Sequence, residues 1–368
     1  MRYYTSTTQY HCGIDLHSTQ MYVCVMDTAG KSLLHMNIRG NDFEFFLQKI
    51  APWRHDMTVC CECIFNWYWM ADACHAAGLQ FVLAHALYLK AIHGGKNKND
   101  RIDSEKLTHL LRSNLIPPSY VYPADKRPIR ALFRQCMTYV WQRTELLQRM
   151  APLQMSEGNS LVGHKNCTLN KWLEELLEIY ENEYHRFSIQ TEVQLIVAYD
   201  DAIKELEMKL ITVTRDKMPL EFTLVRTVPG IGKALGLTII YEVDTIERFP
   251  DVQRFCSYCR LVKGTVASAG KIKGLRGAKL GNAYLRWAFG EAAVLAKRHN
   301  NQIAAVAEHL TKKTGCKFKA NTILANKLAR AVYYMLKNKR AFDVENLVEK
   351  NLIKKEQPSV TSEPSSNL

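Results

Sequence analysis

Four acidic residues carry the chemistry this sequence could perform: Asp15, Glu62, Asp100 and Asp103. They stand in Gly13-Ile14-Asp15-Leu16-His17, Cys60-Cys61-Glu62 and Asn99-Asp100-Arg101-Ile102-Asp103. Asp15 and Glu62 end or interrupt apolar, strand-like runs, where a carboxylate costs stability unless it has a partner. Asp100 and Asp103 are three residues apart on an expected helix and so share one face. Four carboxylates brought together repel one another unless divalent cations bridge them, which is the composition of a two-metal phosphodiester site. Such an all-oxygen ligand set suits two Mg²⁺ ions, with Mn²⁺ as a substitute. His17, two residues after Asp15 on the same strand face, reads first as a structural histidine and second as a substrate contact.

The elements that must position these acids belong to a chain of 368 residues, 47% hydrophobic and 23% charged. That length and composition describe a folded protein of two or three domains. The net charge of +13 is unevenly spread: residues 251–340 hold nineteen Lys and Arg against Asp251, Glu291 and Glu308, a net of +16. Concentrated positive charge points to a polyanionic partner, because each neutralised phosphate releases counterions. The N-terminus has no apolar signal region, and no run of eighteen apolar residues marks a membrane span. Eleven cysteines, an odd and clustered set, read as reduced thiols in a cytoplasm rather than a disulfide framework. Cys256-x-x-Cys259 lacks a second ligand pair at zinc spacing and reads as helix core.

Strand patterns cover 11–16, 20–26 and 31–38, joined by tight turns as an antiparallel meander. Asn41 is expected to cap a helix running to Ile50. A strand at 57–62, a helix at 66–77, a strand at 80–84, a polar loop at 93–99 and a helix at 100–113 follow. The order βββαβαβα is that of a ribonuclease-H-like domain, assigned to 1–125. Residues 126–215 step at a/d spacing (Ile129, Phe133, Cys136, Val140; Ile189, Val193, Ile196, Ile203), the pattern of long paired helices. They read as a helical coiled-coil arm, paired either within the chain or across a dimer. Residues 216–345 form a mostly helical third domain, and 346–368 a Ser/Pro-rich tail expected to be disordered.

Within the third domain, Pro229-Gly230-Ile231-Gly232-Lys233 looks like a helix-hairpin-helix turn. Gly230 and Gly232 would let the backbone approach a phosphate, with Lys233 at the following helix start. Residues 264–281 read as a flexible basic loop holding Ser268, Lys271, Lys273, Arg276 and Lys279. With Arg286 on the next helix, and with Lys96, Lys98 and Arg101 around the Asp100 pair, these cations are expected nucleic-acid contacts; the alternative is a solvated basic loop for those at 271–286, and for Lys96, Lys98 and Arg101 a role as partners that merely offset the acids.

Gly13-Ile14-Asp15-Leu16-His17, Asp100-x-x-Asp103, Pro229-Gly230-Ile231-Gly232, Ser268-Ala269-Gly270-Lys271 and Gly281-Asn282-Ala283-Tyr284-Leu285-Arg286-Trp287 occur in that order. In this the chain resembles the one-ten family of bacterial insertion-sequence transposases, or DEDD transposases, over residues 11 to about 340. The resemblance implies a RuvC-like, α/β catalytic domain, a helical arm and a C-terminal transposase domain with a serine nucleophile. It maps the DEDD carboxylates onto Asp15, Glu62, Asp100 and Asp103, and the serine onto Ser268. It further implies donor and target DNA as partners, a structured bridge RNA as guide, and a homodimer or homotetramer. The chain departs from the family pattern where Cys63-Ile64-Phe65 follows Glu62 and where Ala269 precedes Gly270. Two other readings stay open: a RuvC-like nuclease or junction resolvase that needs the acids without Ser268, and a nonenzymatic helix-hairpin-helix protein whose acids are structural caps.

Overall fold

Successive side chains along the N-terminal strands point to opposite faces of the sheet, and both faces are largely buried. β1 (Tyr10–Leu16), β2 (Gln20–Asp27) and β3 (Ser32–Arg39) form an antiparallel meander, while β4 (Met57–Glu62) and β5 (Gln80–Ala84) continue in parallel beyond β1. The resulting five-stranded mixed sheet has the order β3-β2-β1-β4-β5. α1 (Phe43–Ile50) and α2 (Trp67–Ala76) lie between strands, and α3 (Ala86–Ile92) and α4 (Asp100–Arg112) follow β5. This computed structural model describes residues 3–92, 99–156, 169–262, 264–268, 271–276 and 280–352.

On one face, Cys12, Ile14, Val23, Val25, Val59 and Cys61 form a core with Phe46 of α1 and Met70 of α2. On the other, Cys60 and Val82 pack with Leu107 and Leu111 of α4. The period of two therefore puts Gly13 and Asp15 of β1, Gln20 of β2, His35 and Asn37 of β3, and Glu62 of β4 on the α4 face. Gly13 makes that packing possible. A Cβ there would stand 2.5 Å from Thr108 Oγ1 and 2.6 Å from the Ser104 carbonyl oxygen, so only glycine lets α4 lie this close. The Gly13 N–H donates to Thr108 Oγ1 at 3.1 Å.

Asn41 does not cap α1. It takes a positive φ of 51°, and its side-chain amide donates to the His17 and Ser18 carbonyls, each at 3.0 Å. Asp42 is the cap, its Oδ1 accepting from the Phe45 N–H at 2.9 Å. A carboxylate one position later serves the helix start equally well, which frees the asparagine to clamp the β1–β2 turn.

The chain divides into two compact units, Met1–Arg127 and Pro128–Leu368. The second opens with long helices, α5 (Arg127–Ser156), α6 (Leu169–Ile179) and α7 (Glu183–Lys217). α5 and α7 meet within the chain through Arg143–Asp200, Arg149–Glu192 and Tyr139 against Tyr199. Leu146, Met150, Leu176, Ile189, Val193 and Ile196 form a small core among the three helices. The connection read at 155–168 lies outside the described residues from 157 onward.

There follow α8 (Pro219–Val225), α9 (Lys233–Val243) and α10 (Val252–Tyr258), then β6 (Gly264–Ser268) and β7 (Lys271–Arg276). α11 (Ala283–His299), α12 (Asn301–Thr314), α13 (Lys317–Asn338) and α14 (Val344–Leu352) complete the chain's described elements. Their shared core centres on Ile239 and Ile240 of α9, Phe289 and Ala292 of α11, and Leu328 and Val332 of α13. α14 extends helix into the segment expected as tail, because Leu347 is buried; residues 353–368 lie outside the described set. No helix among the described residues is long and apolar enough to cross a membrane.

The segment expected as a flexible loop at 264–281 contains an antiparallel hairpin instead. β6 and β7 pair Gly264 with Arg276, Thr265 with Leu275 and Ser268 with Lys271, with a register shift at Val266/Ala267. Thr265, Val266, Ile272 and Leu275 have the branched or apolar side chains that favour strands, a signal hidden among glycines.

Candidate active site

Asp15 projects near the end of β1, and Asp100 and Asp103 project from the first turn of α4. Asp15 and Asp100 converge on one imidazole: His17 Nε2 lies 3.2 Å from Asp15 Oδ2 and 3.4 Å from Asp100 Oδ1. Among the described residues, Asp15, His17 and Asp100 form one group whose ligand atoms all lie within 4.8 Å of one another. Burial pushes the Asp15 carboxyl above its usual range; His17 opposes that shift, while the charges of Asp100 and Asp103 add to it. Asp103 thus acts on the site electrostatically, and its own carboxylate is 3.5 Å from Lys106 Nζ. Glu62 ends β4, half-buried. β1 and β4 pair as far as Ile14 and Cys61, so Asp15 and Glu62 each stand one residue beyond the last pair, on the same face of the sheet.

The first turn of α4 reaches this position through contacts with the sheet. Asn99 caps the helix, its Oδ1 accepting from the Arg101 N–H at 3.0 Å. His35 Nε2 meets the Arg101 carbonyl oxygen at 3.0 Å. Gln20 Nε2 donates to Asp100 Oδ2 at 3.3 Å, and Gln20 Oε1 accepts from Asn37 Nδ2 at 3.0 Å. Asp100 Oδ2 is therefore engaged by an amide whose orientation is fixed from behind, and Oδ1 is the oxygen turned to His17. The backbone of His17 is equally constrained. Its N–H donates to the Gln20 carbonyl at 2.9 Å, and its carbonyl accepts from Asn41 and from Asn66 at 2.9 Å. His17, expected first as a structural histidine, has its ring between two of the four acids. Arg101 is exposed beside them, and Lys96 and Lys98 lie outside the described residues.

In the second unit, Ser268 is the exposed last residue of β6, paired with Lys271 at the start of β7. Lys273 is exposed on β7, Arg276 ends that strand, and Lys279 lies outside the described residues. Arg286 is exposed on the first turns of α11. The two turn glycines differ. A Cβ on Gly230 would meet the Ala296 backbone nitrogen at 2.5 Å, whereas one on Gly232 would meet nothing within 4 Å. Gly230 thus serves close packing of the turn on α11, with φ of 88°, and Gly232 leaves open space at the start of α9 beside Lys233. Cys256 and Cys259 are buried in the helical core, and burial pushes the Cys256 thiol up to about 11, in keeping with packing rather than metal binding.

Two family models match the chain. The DEDD transposase model of IS110 spans residues 12–153, which include Asp15, Glu62, Asp100 and Asp103. The model of the transposase IS116/IS110/IS902 family spans residues 222–308, which include the hairpin and Arg286. The chain belongs to the IS110 family of transposases. No curated protein matches it.

In this transposase the residues that follow the Ser268 hairpin join a buried polar network through Asn282. Glu242 of α9 is 0% exposed. Its carboxylate accepts from Arg130 at 2.7 Å, from Arg134 at 2.7 and 3.0 Å, and from Asn282 Nδ2 at 2.6 Å. Burial pushes the Glu242 carboxyl up, but the hydrogen bonds and charges of Arg134 and Arg130 outweigh it and hold it below the usual carboxylate range. Asn282 also caps α11 through the Leu285 N–H at 3.0 Å. Gly281, with φ of 99°, brings its backbone onto Tyr258, where a Cβ would stand 2.4 Å from the carbonyl oxygen. Arg260 Nε donates to the Gly281 carbonyl at 2.8 Å, joining the residues just before β6 to those just after β7.

Proposed function

We propose that this transposase cuts and rejoins DNA through a phosphoserine link formed at Ser268, with divalent cations held at Asp15, Glu62, Asp100 and Asp103. The observation that carries the reading is the convergence of Asp15 and Asp100 from distant parts of the sequence. The family model that spans all four acids supports it, as does the strand order β3-β2-β1-β4-β5, which agrees with a RuvC-like, ribonuclease-H-like sheet. The donor set fits a metal. Half-buried oxygen ligands crowd together, the Asp15 carboxyl is raised, and a dication would relieve that repulsion.

A bound divalent cation would supply charge neutralisation at the scissile phosphate and acidify the attacking hydroxyl. Asp15, Glu62 and the first turn of α4 hold the carboxylates on one face of the sheet. Ser268 Oγ attacks phosphorus and forms the P–Oγ bond as the bond to the departing deoxyribose oxygen breaks. The serine proton leaves to solvent and the departing oxygen takes one up. Attack by a hydroxyl of the new strand reverses these steps, so one phosphodiester is exchanged for another without ATP. No carboxylate lies near Ser268 in sequence, and the mechanism therefore requires the hairpin to dock on an acid site, in its own chain or in another copy of a homodimer or homotetramer. Lys273, Arg276 and Arg286 would contact DNA phosphates beside the serine. A structured guide RNA belongs to the same reading, supported by family membership and by the positive charge of residues 251–340.

Incubating the protein with metal and element-end DNA, then denaturing, should trap a protein–DNA adduct. Asp15→Asn should abolish cleavage, and Ser268→Ala should abolish the adduct and strand exchange. Cleavage that survives Ser268→Ala without an adduct in the wild type would establish a hydrolytic nuclease in place of the serine mechanism. Sequencing RNA that co-purifies with the protein tests the guide.

A further inference from the structure

We propose that His17 is itself a metal ligand, making the site a mixed nitrogen–oxygen centre that prefers a first-row transition cation to Mg²⁺. This rests on the reading of the acid site as a metal centre. Three observations carry it. The His17 Nε2 separations of 3.2 Å from Asp15 Oδ2 and 3.4 Å from Asp100 Oδ1 match the edges of a coordination polyhedron. Neighbouring ligands about 2.1 Å from one cation stand roughly 3.0 Å apart in an octahedron and roughly 3.4 Å apart in a tetrahedron. The ring is also held on a fixed stem, since both the N–H and the carbonyl of His17 are bonded by Gln20, Asn41 and Asn66. Finally, Gln20 engages Asp100 Oδ2, which leaves Oδ1 as the oxygen that faces the imidazole and Asp15. The side chains of His17, Asp15 and Asp100 are 45%, 23% and 41% exposed, so an ion can enter from solvent.

The chemistry of this trio differs from that of an all-carboxylate centre. Mg²⁺ favours oxygen and sheds its waters reluctantly. An imidazole nitrogen favours later first-row cations, whose affinities for nitrogen sites rise across the series. Mn²⁺ is the probe, because it tolerates both donor types and is paramagnetic.

Full-length protein is titrated with Mn²⁺ and examined by pulsed electron paramagnetic resonance. Wild type should show ¹⁴N coupling to the bound ion. His17→Gln should bind Mn²⁺ without that coupling and at least about tenfold more weakly, the smallest loss typical even of outer-sphere partners. Added Mg²⁺ should displace Mn²⁺ more readily from the variant than from wild type. Bound Mn²⁺ that Asp15→Asn removes, but that shows no ¹⁴N coupling in wild type, overturns the role of His17 and leaves the carboxylate centre standing. Coupling that persists in His17→Gln overturns it as well. Absence of Mn²⁺ binding at millimolar concentration overturns both the ligand and the centre. The wild-type spectrum and an independent His17→Asn variant keep the test decisive if one variant misfolds.

Discussion

Asp15 and Glu242 are both acids held within the fold, and they are treated in opposite ways. Glu242 is fully buried and receives two guanidinium groups and an amide; its carboxyl is held low. Asp15 is partly buried and faces an imidazole and two further acids; its carboxyl is pushed up. Neutralisation by arginine makes a buried charge structural, because the carboxylate is already balanced and bonded and no ligand is required. Crowding of acids around one histidine leaves charge to be balanced from outside. The first unit therefore gathers Asp15 and Asp100 around one imidazole, without a guanidinium group between them among the described residues, while the second uses its buried acid to hold Asn282, which follows the Ser268 hairpin.

Replacing each acid tests that contrast most sharply. Asp15→Asn should lower DNA cleavage by roughly a thousandfold or more, the scale on which a bound metal stabilises a phosphoryl transition state. It should melt at or above the wild-type temperature, since burial and the neighbouring acids disfavour the Asp15 carboxylate by more than its contact with His17 favours it. A large fall in melting temperature with cleavage retained would reverse the assignment and make Asp15 the structural acid. Glu242→Gln should do the opposite. It removes the counter-charge shared by the largely buried Arg130 and the half-exposed Arg134, a loss of about 3 kcal/mol, the lower end for a buried pair, visible in urea denaturation of the second unit. Mn²⁺ binding by the first unit should be unchanged.

The same pair predicts opposite pH dependences. The folded-state pKa of Glu242 lies below the unfolded value of about 4.3, so its ion pairs stabilise the fold above that value. The contribution is lost as pH falls through the folded pKa. The difference in urea midpoint between wild type and Glu242→Gln should therefore close as pH drops below the unfolded value and through the folded-state pKa. For Asp15 the folded-state pKa is raised, so ionisation costs stability as pH rises through it. The gain from Asp15→Asn in metal-free protein should widen with rising pH and shrink in acid. Parallel curves for the two variants would remove the distinction.

Much of the first unit was legible in the sequence because strand alternation is a local signal. The meander follows from it, β4 and β5 follow from short apolar runs, and the shared face of Asp15 and Glu62 follows from parity once β1 and β4 are paired. What escaped was long-range. Asp15 and His17 at i and i+2 share a strand face, but nothing local shows that Asp100 closes on the same imidazole. Asn41 and Asp42 are both good caps, and only the turn that Asn41 clamps decides between them. Glu242 did leave a trace. It is the lone carboxylate of the mostly apolar helix Lys233–Val243, where burial demands a partner. Arg130 and Arg134, four apart on α5, offer one face of guanidinium groups. The hairpin at 264–276 was obscured because glycine counts as a loop signal even where branched residues alternate around it.

The finest test concerns the amide pair behind Asp100. Gln20 presents its N–H to Asp100 because Asn37 holds its carbonyl oxygen. Removal of that hold in Asn37→Ala frees the Gln20 amide to rotate and to turn an oxygen toward a carboxylate, which the site does not tolerate. Gln20→Leu removes the donor altogether while keeping side-chain size. Both variants should keep the fold and the Glu242 network intact, and both should weaken Mn²⁺ binding by about tenfold, as loss of an outer-sphere partner does. Their effects should not add in the double variant, since the two amides act on Asp100 through one hydrogen bond. Additive losses would mean that Asn37 reaches the metal centre by a separate route. Unchanged affinity in Gln20→Leu would mean that the cap at Asn99 and the His35 contact are sufficient to hold the first turn of α4.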